Sequence, residues 1–299
     1  MAIVMFLVKM KVRKPAVVFM LNLATADVLF VSVLPFYIVY RYRENNWVIG
    51  EGMCRFVTAA FYCNMYCSIL LMTSISVDRF LAVVYPVRSL PWRTVKRAWL
   101  VCGIIWVISL ASTIPLLISK QTLKVSTLQI TTCHDNQDIE VLRGYYFYYF
   151  TALIPLFFFF PLCITTFCYI RIIRSLRRSK LGHTNKRSRA TILTVVVLCV
   201  FVLCFGPTNV IHFTHYLQLY YHSDFSSYIP YILCVGISSI NCCLDPLIYY
   251  FASSQCQRYV CSLLGCKKDY QLPVEQKRIQ VRKESSLEMT QSAQLSKSN

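Results

Sequence analysis

Six long apolar runs constrain this chain more than any other feature of its sequence. A helix that crosses a membrane needs roughly 20 mainly apolar residues. Six segments are long enough: 15–40, 56–77, 98–119, 144–170, 190–223 and 225–257. The fifth run is longer than one crossing requires, so its polar end from about Tyr216 onward predicts a loop. The sequence therefore predicts a protein that crosses the membrane several times.

The charged residues support this class of protein and indicate its orientation. They make up 15% of the chain, against about 25% in an ordinary soluble domain, which excludes a soluble enzyme. The net charge of +18 lies mostly in short loops between the runs, so no nucleic-acid partner is expected. One alternating set of loops holds 17 Lys and Arg and the other holds 6. The positive-inside rule places the first set in the cytoplasm.

The two ends of the chain predict further segments. Residues 1–8 are apolar but far too short to cross a membrane, and the basic residues after them fit the cytoplasmic end of a helix whose beginning is missing. Met1 is accordingly interpreted as an internal methionine of a longer protein. Residues 253–266 fit a short amphipathic helix along the membrane, and 267–299 are predicted to be a disordered cytoplasmic tail. The expected fold is all-α, a polytopic seven-helix bundle in which residues 9–252 form helices two to seven and most of helix one is missing.

Two carboxylates lie within the apolar runs, where an ionisable group is costly and marks function. Asp27 and Asp245 each have small or polar neighbours. Together with Ser68 and Asn241 they can hold a sodium ion through oxygen ligands. The alternative is that one aspartate is protonated and hydrogen-bonded, which burial favours. Both interpretations stay open, and the sequence indicates no other metal site and no cofactor.

A second group of polar residues marks the cytoplasmic face. Asp78 and Arg79 close the second run, and Tyr169 and Tyr249 end two other runs on the same side. Together these side chains can form a hydrogen-bonded cluster that switches between states. Taken alone, an arginine beside an aspartate at a helix end is an ordinary solvated pair. Prolines inside the runs predict kinks about which helices move, which suits a conformational transducer.

Cysteines mark both faces of the membrane. Cys54 at the outer end of the second run and Cys133 in the long outer loop both meet an oxidising compartment, so a disulfide between them is predicted. Cys261 and Cys266 lie near the inner membrane surface and are candidates for acylation. Unmodified thiols in a reducing cytosol are an equal alternative for each of these two.

Seven short motifs are distributed over the predicted spans and the long outer loop. They are Asn22 to Asp27 (NLATAD), the Cys54–Cys133 pair, Asp78-Arg79-Phe80, Trp106, Pro161 with Tyr169, Cys204 to Pro207 (CFGP) and Asp245 to Tyr249 (DPLIY). The set resembles a rhodopsin-like (class A) G-protein-coupled receptor. The stretches 23–36, 54–66, 131–135, 204–210 and 253–260 more narrowly resemble the proteinase-activated receptors.

This resemblance implies a receptor for thrombin-like proteases, activated by a tethered peptide ligand and signalling through heterotrimeric G proteins to calcium in blood coagulation. It implies a multi-pass plasma-membrane protein without enzymatic activity, with arrestin, the activating protease and membrane lipids as further partners. The ligand-contacting residues would be Tyr62, His134, Asp135, Tyr216 and Tyr231. The sodium site would be Asp27, Ser68, Asn241 and Asp245, and the G-protein switch would be Asp78, Arg79, Tyr169 and Tyr249.

The chain also departs from the family pattern. Arg187 and Arg189 stand near the start of the fifth run, so Arg79 has no acidic partner there, and other contacts are expected to hold the inactive state. Neither a protease site nor a tethered ligand is recognisable in the sequence.

Two alternative functions follow from the same residues. A nucleotide or lipid receptor of the same branch also carries the aspartate of Asp245-Pro246, but the Cys133-His-Asp135 loop argues against it. A proton- or cation-coupled transporter would use Asp27 in a relay. Against it stand the lack of any internal repeat and of a nucleophile paired with a base.

Overall fold

The computed structural model describes residues 14–126, 128–135, 141–178, 185–221, 228–252 and 257. The chain divides into two compact units, 1–255 and 256–299. Gln257, which is helical, is the one described residue of the second unit. The predicted first-helix remnant (1–8), amphipathic helix (253–266) and tail (267–299) therefore lie outside the described residues, apart from Gln257.

The described part of the first unit contains nine α-helices and one β-hairpin, together with three π-helical turns. The helices are α1 (Pro15–Tyr42), α2 (Glu51–Val84), α3 (Val95–Ile118), α4 (Phe147–Ile154), α5 (Phe160–Arg178), α6 (Asn185–Val200), α7 (Gly206–Tyr221), α8 (Tyr228–Ser239) and α9 (Asn241–Ala252). The hairpin strands are β1 (Thr122–Val125) and β2 (Ile130–Cys133), which pair antiparallel with Thr122 opposite Cys133.

Within the described residues, five helical segments are long and apolar enough to cross a membrane. They are Pro15–Tyr42, Glu51–Val84, Val95–Ile118, Gly144–Arg177 and Ile192–Gln218. The shorter helices α8 and α9 follow each other along the sixth predicted run. The prediction of an all-α, polytopic fold is confirmed.

Local chemistry sets several helix boundaries. Pro15 lies in the first turn of α1, where its missing N–H costs no hydrogen bond. Gly50, with a φ of +99°, leads into α2 in a left-handed conformation that favours glycine. Thr94 caps α3, because its side chain accepts a hydrogen bond from the backbone N–H of Arg97. These helices begin at or shortly before the apolar runs.

Helix α2 is central to the packing of the first unit. It packs against α1, α3 and α5, and α1 also packs against α3. The indole N–H of Trp106 in α3 donates to Oδ1 of Asn22 in α1 at 3.0 Å. Helix α6 packs against α5 and α9, and α4 packs against α7. The polar residues of α2 therefore meet residues from several other helices.

Wider π-helical turns interrupt the later helices. One covers Pro155–Phe159, and another covers Phe201–Phe205 just before Pro207. Proline lacks the N–H that an α-helix uses for its i to i−4 bond, so the backbone widens near it. A third turn, Leu142–Tyr146, leads into α4. The break between α8 and α9 falls at Ile240, whereas Pro246 lies inside α9.

The prediction of a loop from about Tyr216 onward is wrong. Helix α7 continues to Tyr221. Tyr216 is 5% exposed and stacks on Phe150 of α4, with the ring centroids 4.9 Å apart. The helix end buries aromatic surface that a loop would leave exposed. Local polarity misled the prediction because it carries no information about a contact between two separate helices.

Candidate functional site

The long outer loop that carries Cys133 is attached to the start of α2 at two points. A disulfide joins Cys54 of α2 to Cys133 of β2, with the Cα atoms 5.7 Å apart. The Glu51 carboxylate accepts the backbone N–H groups of Gln121 at 2.7 Å and Thr122 at 3.0 Å, and it also accepts the Thr122 hydroxyl. The hairpin is thereby held over the outer ends of the helices.

The carboxylate of Asp135 is bound to the outer end of α1. Arg41 Nη1 lies 2.9 Å from Oδ2 and Nη2 donates to Oδ1 at 3.0 Å, and the Tyr40 hydroxyl donates to Oδ2 at 2.7 Å. The Asp135 side chain is 4% exposed. Burial raises the pKa of this carboxyl above its usual range, opposed by the Arg41 charge and by the Tyr40 hydrogen bond. The charge of Asp135 therefore already has partners within the chain.

His134 connects the loop to α2. Its Nε2 lies 3.1 Å from the Tyr62 hydroxyl, and its Nδ1 lies 2.8 Å from Gln121 Oε1. The Gln121 amide nitrogen donates to the Leu116 carbonyl, which fixes Oε1 as the atom that faces His134. Nδ1 is accordingly the donor, and Nε2 accepts from Tyr62. Burial lowers the pKa of His134 to about 4, so the ring is neutral at pH 7.

An aromatic cluster lies beneath His134. The Tyr62 ring is 1% exposed and stacks on His212 of α7, with the centroids 6.0 Å apart, and it also contacts Phe150. Tyr216 packs on Phe150 and His212. A cavity of about 50 Å³ opens beside Tyr62 and is lined by His134, Asp135 and residues of α1, α2 and α8. Its lining of apolar faces with few polar groups is typical of ligand sites, whereas its volume is below the roughly 300–1,000 Å³ of such sites.

The structure brings four of the five predicted ligand-contacting residues to this outer end. Tyr62 and His134 share a hydrogen bond, Asp135 lines the same cavity, and Tyr216 joins through Phe150 and His212. Tyr231 lies on α8, and its side chain is outside those that the structure describes.

The two intramembrane aspartates meet between α1 and α9. Their carboxyl groups lie close together. The Tyr249 hydroxyl donates to Asp27 Oδ2 at 3.2 Å. Oδ1 of Asp27, both carboxylate oxygens of Asp245 and Nδ2 of Asn241 have no hydrogen-bond partner among the described residues. Two buried carboxylates cannot face each other as anions, so this group needs a proton or a cation. Oxygen atoms of this kind fit a sodium ion.

Ser68, the fourth residue of the predicted sodium set, lies on α2. It is fully buried, and its hydroxyl donates to Oδ1 of Asn64 on its own helix at 3.5 Å. The described part of the chain contains no cluster of three or more His, Cys, Asp or Glu side chains that could hold a metal ion. A cation here would therefore rely on the two aspartates and neutral oxygens.

At the cytoplasmic end, Asp78 is shared between two arginines. Arg79 Nη2 donates to Oδ2 at 2.7 Å, while Arg93 donates from Nε to Oδ1 at 2.8 Å and from Nη2 to Oδ2 at 3.1 Å. Tyr249 bonds Asp27 instead of Arg79. No hydrogen bond between described residues joins the Tyr169 hydroxyl to Arg79 or Tyr249. The predicted switch residues therefore lie in separate groups: Asp78 with Arg79 at the cytoplasmic end, and Tyr249 with Asp27.

Several residues of these sites were not predicted from the sequence. They are Tyr40, Arg41 and Gln121 at the outer end and Arg93 at the inner end. A cation in the last turn of α1 was the available signal for Arg41. No local signal distinguished Arg93 from the other loop arginines. The candidate acylation sites Cys261 and Cys266 lie outside the described residues.

The arrangement of spans, disulfide-held loop and inner Asp-Arg pair defines a class of protein. The chain belongs to the 7 transmembrane receptor (rhodopsin family), whose family model matches residues 1–249.

Individual relatives are more specific. The chain is similar to Proteinase-activated receptor 1 of Xenopus laevis (62% identical over 268 residues) and of Homo sapiens (58% over 269 residues), covering 90% of this chain and 63% of each relative. It is 39% identical over 272 residues to Proteinase-activated receptor 2 of Bos taurus, covering 89% of this chain and 68% of that relative. The chain thus spans about 63% of the length of the first two.

These comparisons decide several predictions. The resemblance to rhodopsin-like receptors, and within them to proteinase-activated receptors, is confirmed. The family consists of receptors and not of enzymes, and the prediction of a multi-pass plasma-membrane protein is confirmed. The predicted Cys54–Cys133 disulfide is present. The comparisons favour a receptor over the transporter alternative.

Proposed function

We propose that this chain is a G-protein-coupled receptor activated by a peptide that a thrombin-like protease exposes, and that it signals through heterotrimeric G proteins to calcium. The observation that carries the proposal is its similarity to proteinase-activated receptors over 90% of its length. The outer cluster supports it, because an apolar floor beneath a loop with hydrogen-bonding groups suits a peptide end.

In this proposal the peptide contacts Tyr62, His134, Tyr216 and Tyr231 and approaches Asp135. A cationic group of the ligand reaches Asp135 only by displacing or joining Arg41, which already binds that carboxylate. Arg41→Gln is therefore a direct test of the role of Asp135. If the ligand uses Asp135 as its counter-ion, the variant raises the affinity for a cationic peptide. An unchanged affinity assigns Asp135 to loop anchoring alone.

Asp78 and Arg79 form the inner switch of the proposed receptor, and Tyr169 and Tyr249 take part as the helices move. Release of Arg79 from Asp78 makes its guanidinium available to a G protein or to arrestin. The small number of contacts that hold Arg79 supports this role, since in the described structure its side chain bonds Asp78 through one nitrogen. Membrane lipids are proposed to contact the inner face. Acyl groups on Cys261 and Cys266 are proposed to anchor it to the membrane.

A sodium ion is proposed as an allosteric partner, held by Asp27 and Asp245 with Asn241 and Ser68 nearby. The support is the set of buried carboxylate oxygens without partners among the described residues. A bound sodium ion would offset one of the two negative charges of these carboxylates and link α1 to α9. The Tyr249 hydroxyl donates a hydrogen bond to Asp27 within this group.

Calcium release in transfected cells tests the proposal. One form is this chain, and a second carries an added amino-terminal part: an extracellular segment with a thrombin cleavage site and tethered peptide, followed by enough apolar residues to complete the first helix. We expect the free peptide to activate both forms, and thrombin to activate only the extended one. Surface staining is the matched control. Failure of both forms to respond while at the surface contradicts the proposal and favours the nucleotide- or lipid-receptor alternative.

A further inference from the structure

Asp78 has two cationic partners that differ in how they are held. Its side chain is 5% exposed, so water offers it little compensation. Arg93 meets it with a two-nitrogen fork, at 2.8 Å and 3.1 Å, whereas Arg79 meets it with one nitrogen at 2.7 Å. A forked guanidinium–carboxylate pair is the stronger and more directional arrangement. Arg93 is therefore the better-held partner of Asp78.

The loop after α2 holds Arg93 in this position. Ser89 is 3% exposed, and its hydroxyl donates to the Leu81 carbonyl of α2 at 3.1 Å. The backbone N–H of Arg93 donates to the Ser89 carbonyl at 3.0 Å, and Ser89 N–H donates to the Tyr85 carbonyl at 3.0 Å. Tyr85 packs edge-on against Phe80 of α2. This turn ties the backbone of Arg93 to the helix that carries Asp78.

Arg79 is held less completely. Its Nε is buried and has no hydrogen-bond partner among the described residues. Asp78 Oδ2 accepts hydrogen bonds from both Arg79 and Arg93. The two guanidinium groups therefore lie close together and repel each other. Removal of Arg93 would leave Arg79 as the one cation bonded to Asp78 in the described structure.

We propose that Arg93 is a positioning residue that keeps Asp78 neutralised when Arg79 leaves, and thereby lowers the cost of activation. This inference rests on the proposed G-protein coupling and adds a residue to it. A buried carboxylate that loses its sole partner is strongly disfavoured. With Arg93 in place, Asp78 keeps a forked partner after Arg79 swings away. Arg93 thus promotes release of Arg79, and the Asp78–Arg79 pair alone would resist it.

The first test measures nucleotide exchange on purified G proteins by the full chain in membranes, with and without activating peptide. Arg93→Gln is expected to lower basal exchange about fivefold and to shift the peptide response to higher concentration, a change at the low end of couplings between sites. Arg93→Lys, which keeps the charge but loses the fork, should restore part of the response. In an Asp78→Asn background Arg93→Gln should have no effect, because the shared carboxylate is gone.

The matched control is Arg97→Gln. Arg97 lies in the same region but binds the Pro91 carbonyl and lies over the Trp92 ring, without contacting Asp78. It should leave basal exchange unchanged at equal surface expression. Basal exchange that is unchanged or raised by Arg93→Gln overturns the inference, since Arg93 would then be neutral or would restrain Arg79.

A second measurement separates this inference from the proposed function. Thermal unfolding of the purified chain gives the coupling between Asp78 and Arg79 from the Asp78→Asn, Arg79→Gln and double variants. We expect a larger coupling, as a shift of the unfolding midpoint, in the Arg93→Gln background than with Arg93 present. An equal or smaller coupling overturns the inference. If no G protein responds to any form but the coupling rises, the proposed function fails and the sharing of Asp78 stands.

Discussion

Arg41 and Asp135 form a two-nitrogen ion pair, with Nη1 2.9 Å from Oδ2 and Nη2 3.0 Å from Oδ1. They are 94 residues apart in the chain. The guanidinium also lies over the rings of Tyr37 and Tyr40, at 4.8 Å and 5.0 Å from their centroids. The ion pair therefore fixes the loop after β2 to the outer end of α1. The hairpin before this loop is attached to α2 by the disulfide and by Glu51.

Loss of this ion pair should weaken the fold of the outer end. We expect Arg41→Gln to lower the free energy of unfolding by about 1–3 kcal/mol, because Asp135 remains buried without its charged partner. The loss is limited to this range because Arg41 is partly exposed and solvent weakens the ion pair. Thermal unfolding in detergent measures the change, and a double-mutant cycle with Asp135→Asn isolates the pair. Arg43→Gln, at an exposed neighbouring position, is the control. Equal losses for Arg41→Gln and Arg43→Gln would contradict the prediction.

The neutral state of His134 predicts a loss of stability in acid. Its pKa in the folded chain is about 4, below the ordinary value of 6.5. The unfolded chain therefore binds more protons than the folded chain between these values. The stabilisation is fully present above pH 6.5 and is lost as the pH falls toward 4. Protonated Nε2 could no longer accept from the Tyr62 hydroxyl.

The check is an unfolding midpoint measured from pH 7 to pH 4. We expect His134→Gln to flatten this profile, because glutamine does not titrate and can still accept a hydrogen bond from Tyr62. Asp135 also protonates in acid, so Asp135→Asn is run in parallel to subtract its contribution. An identical pH profile for wild type and His134→Gln would show that other groups dominate.

Sodium should stabilise the chain through Asp27 and Asp245. At a concentration 100 times its Kd, an ion that binds only the folded state adds about 2.7 kcal/mol. We expect the unfolding midpoint to rise with sodium chloride but not with the same concentration of choline chloride, which controls for ionic strength. Asp27→Asn should abolish the difference between the two salts. A sodium effect that survives this substitution would place the ion elsewhere.

The end of α7 depends on the Tyr216 ring. Replacement by alanine should cost about 3 kcal/mol, because it removes the contact with Phe150 and leaves a cavity. Tyr216→Phe keeps the ring and is expected to change stability by less than about 1 kcal/mol. Unfolding midpoints of the two variants provide the comparison. If the hydroxyl contacts a ligand, Tyr216→Phe will instead lower peptide affinity while leaving stability unchanged.

Much of the fold and part of the site could be predicted from the sequence. The apolar runs located the spans, because transfer into a membrane depends on the summed hydrophobicity of one continuous segment. Loop charges predicted an orientation. The oxidising compartment of Cys54 and Cys133 predicted the disulfide that the structure contains. The resemblance of short motifs to a known receptor family predicted the membership that the family model shows.

Partners that lie far apart in the sequence were decided only by the tertiary structure. Tyr249 bonds Asp27, 222 residues away, although its position at a span end favoured the Arg79 cluster. Asp135 meets Arg41 and Asp78 meets Arg93, and neither pair has a local signature. A charge in the sequence shows that a buried group needs a counter-charge. Which residue supplies that charge depends on how the helices pack, because an ion pair forms only where two side chains come within about 4 Å.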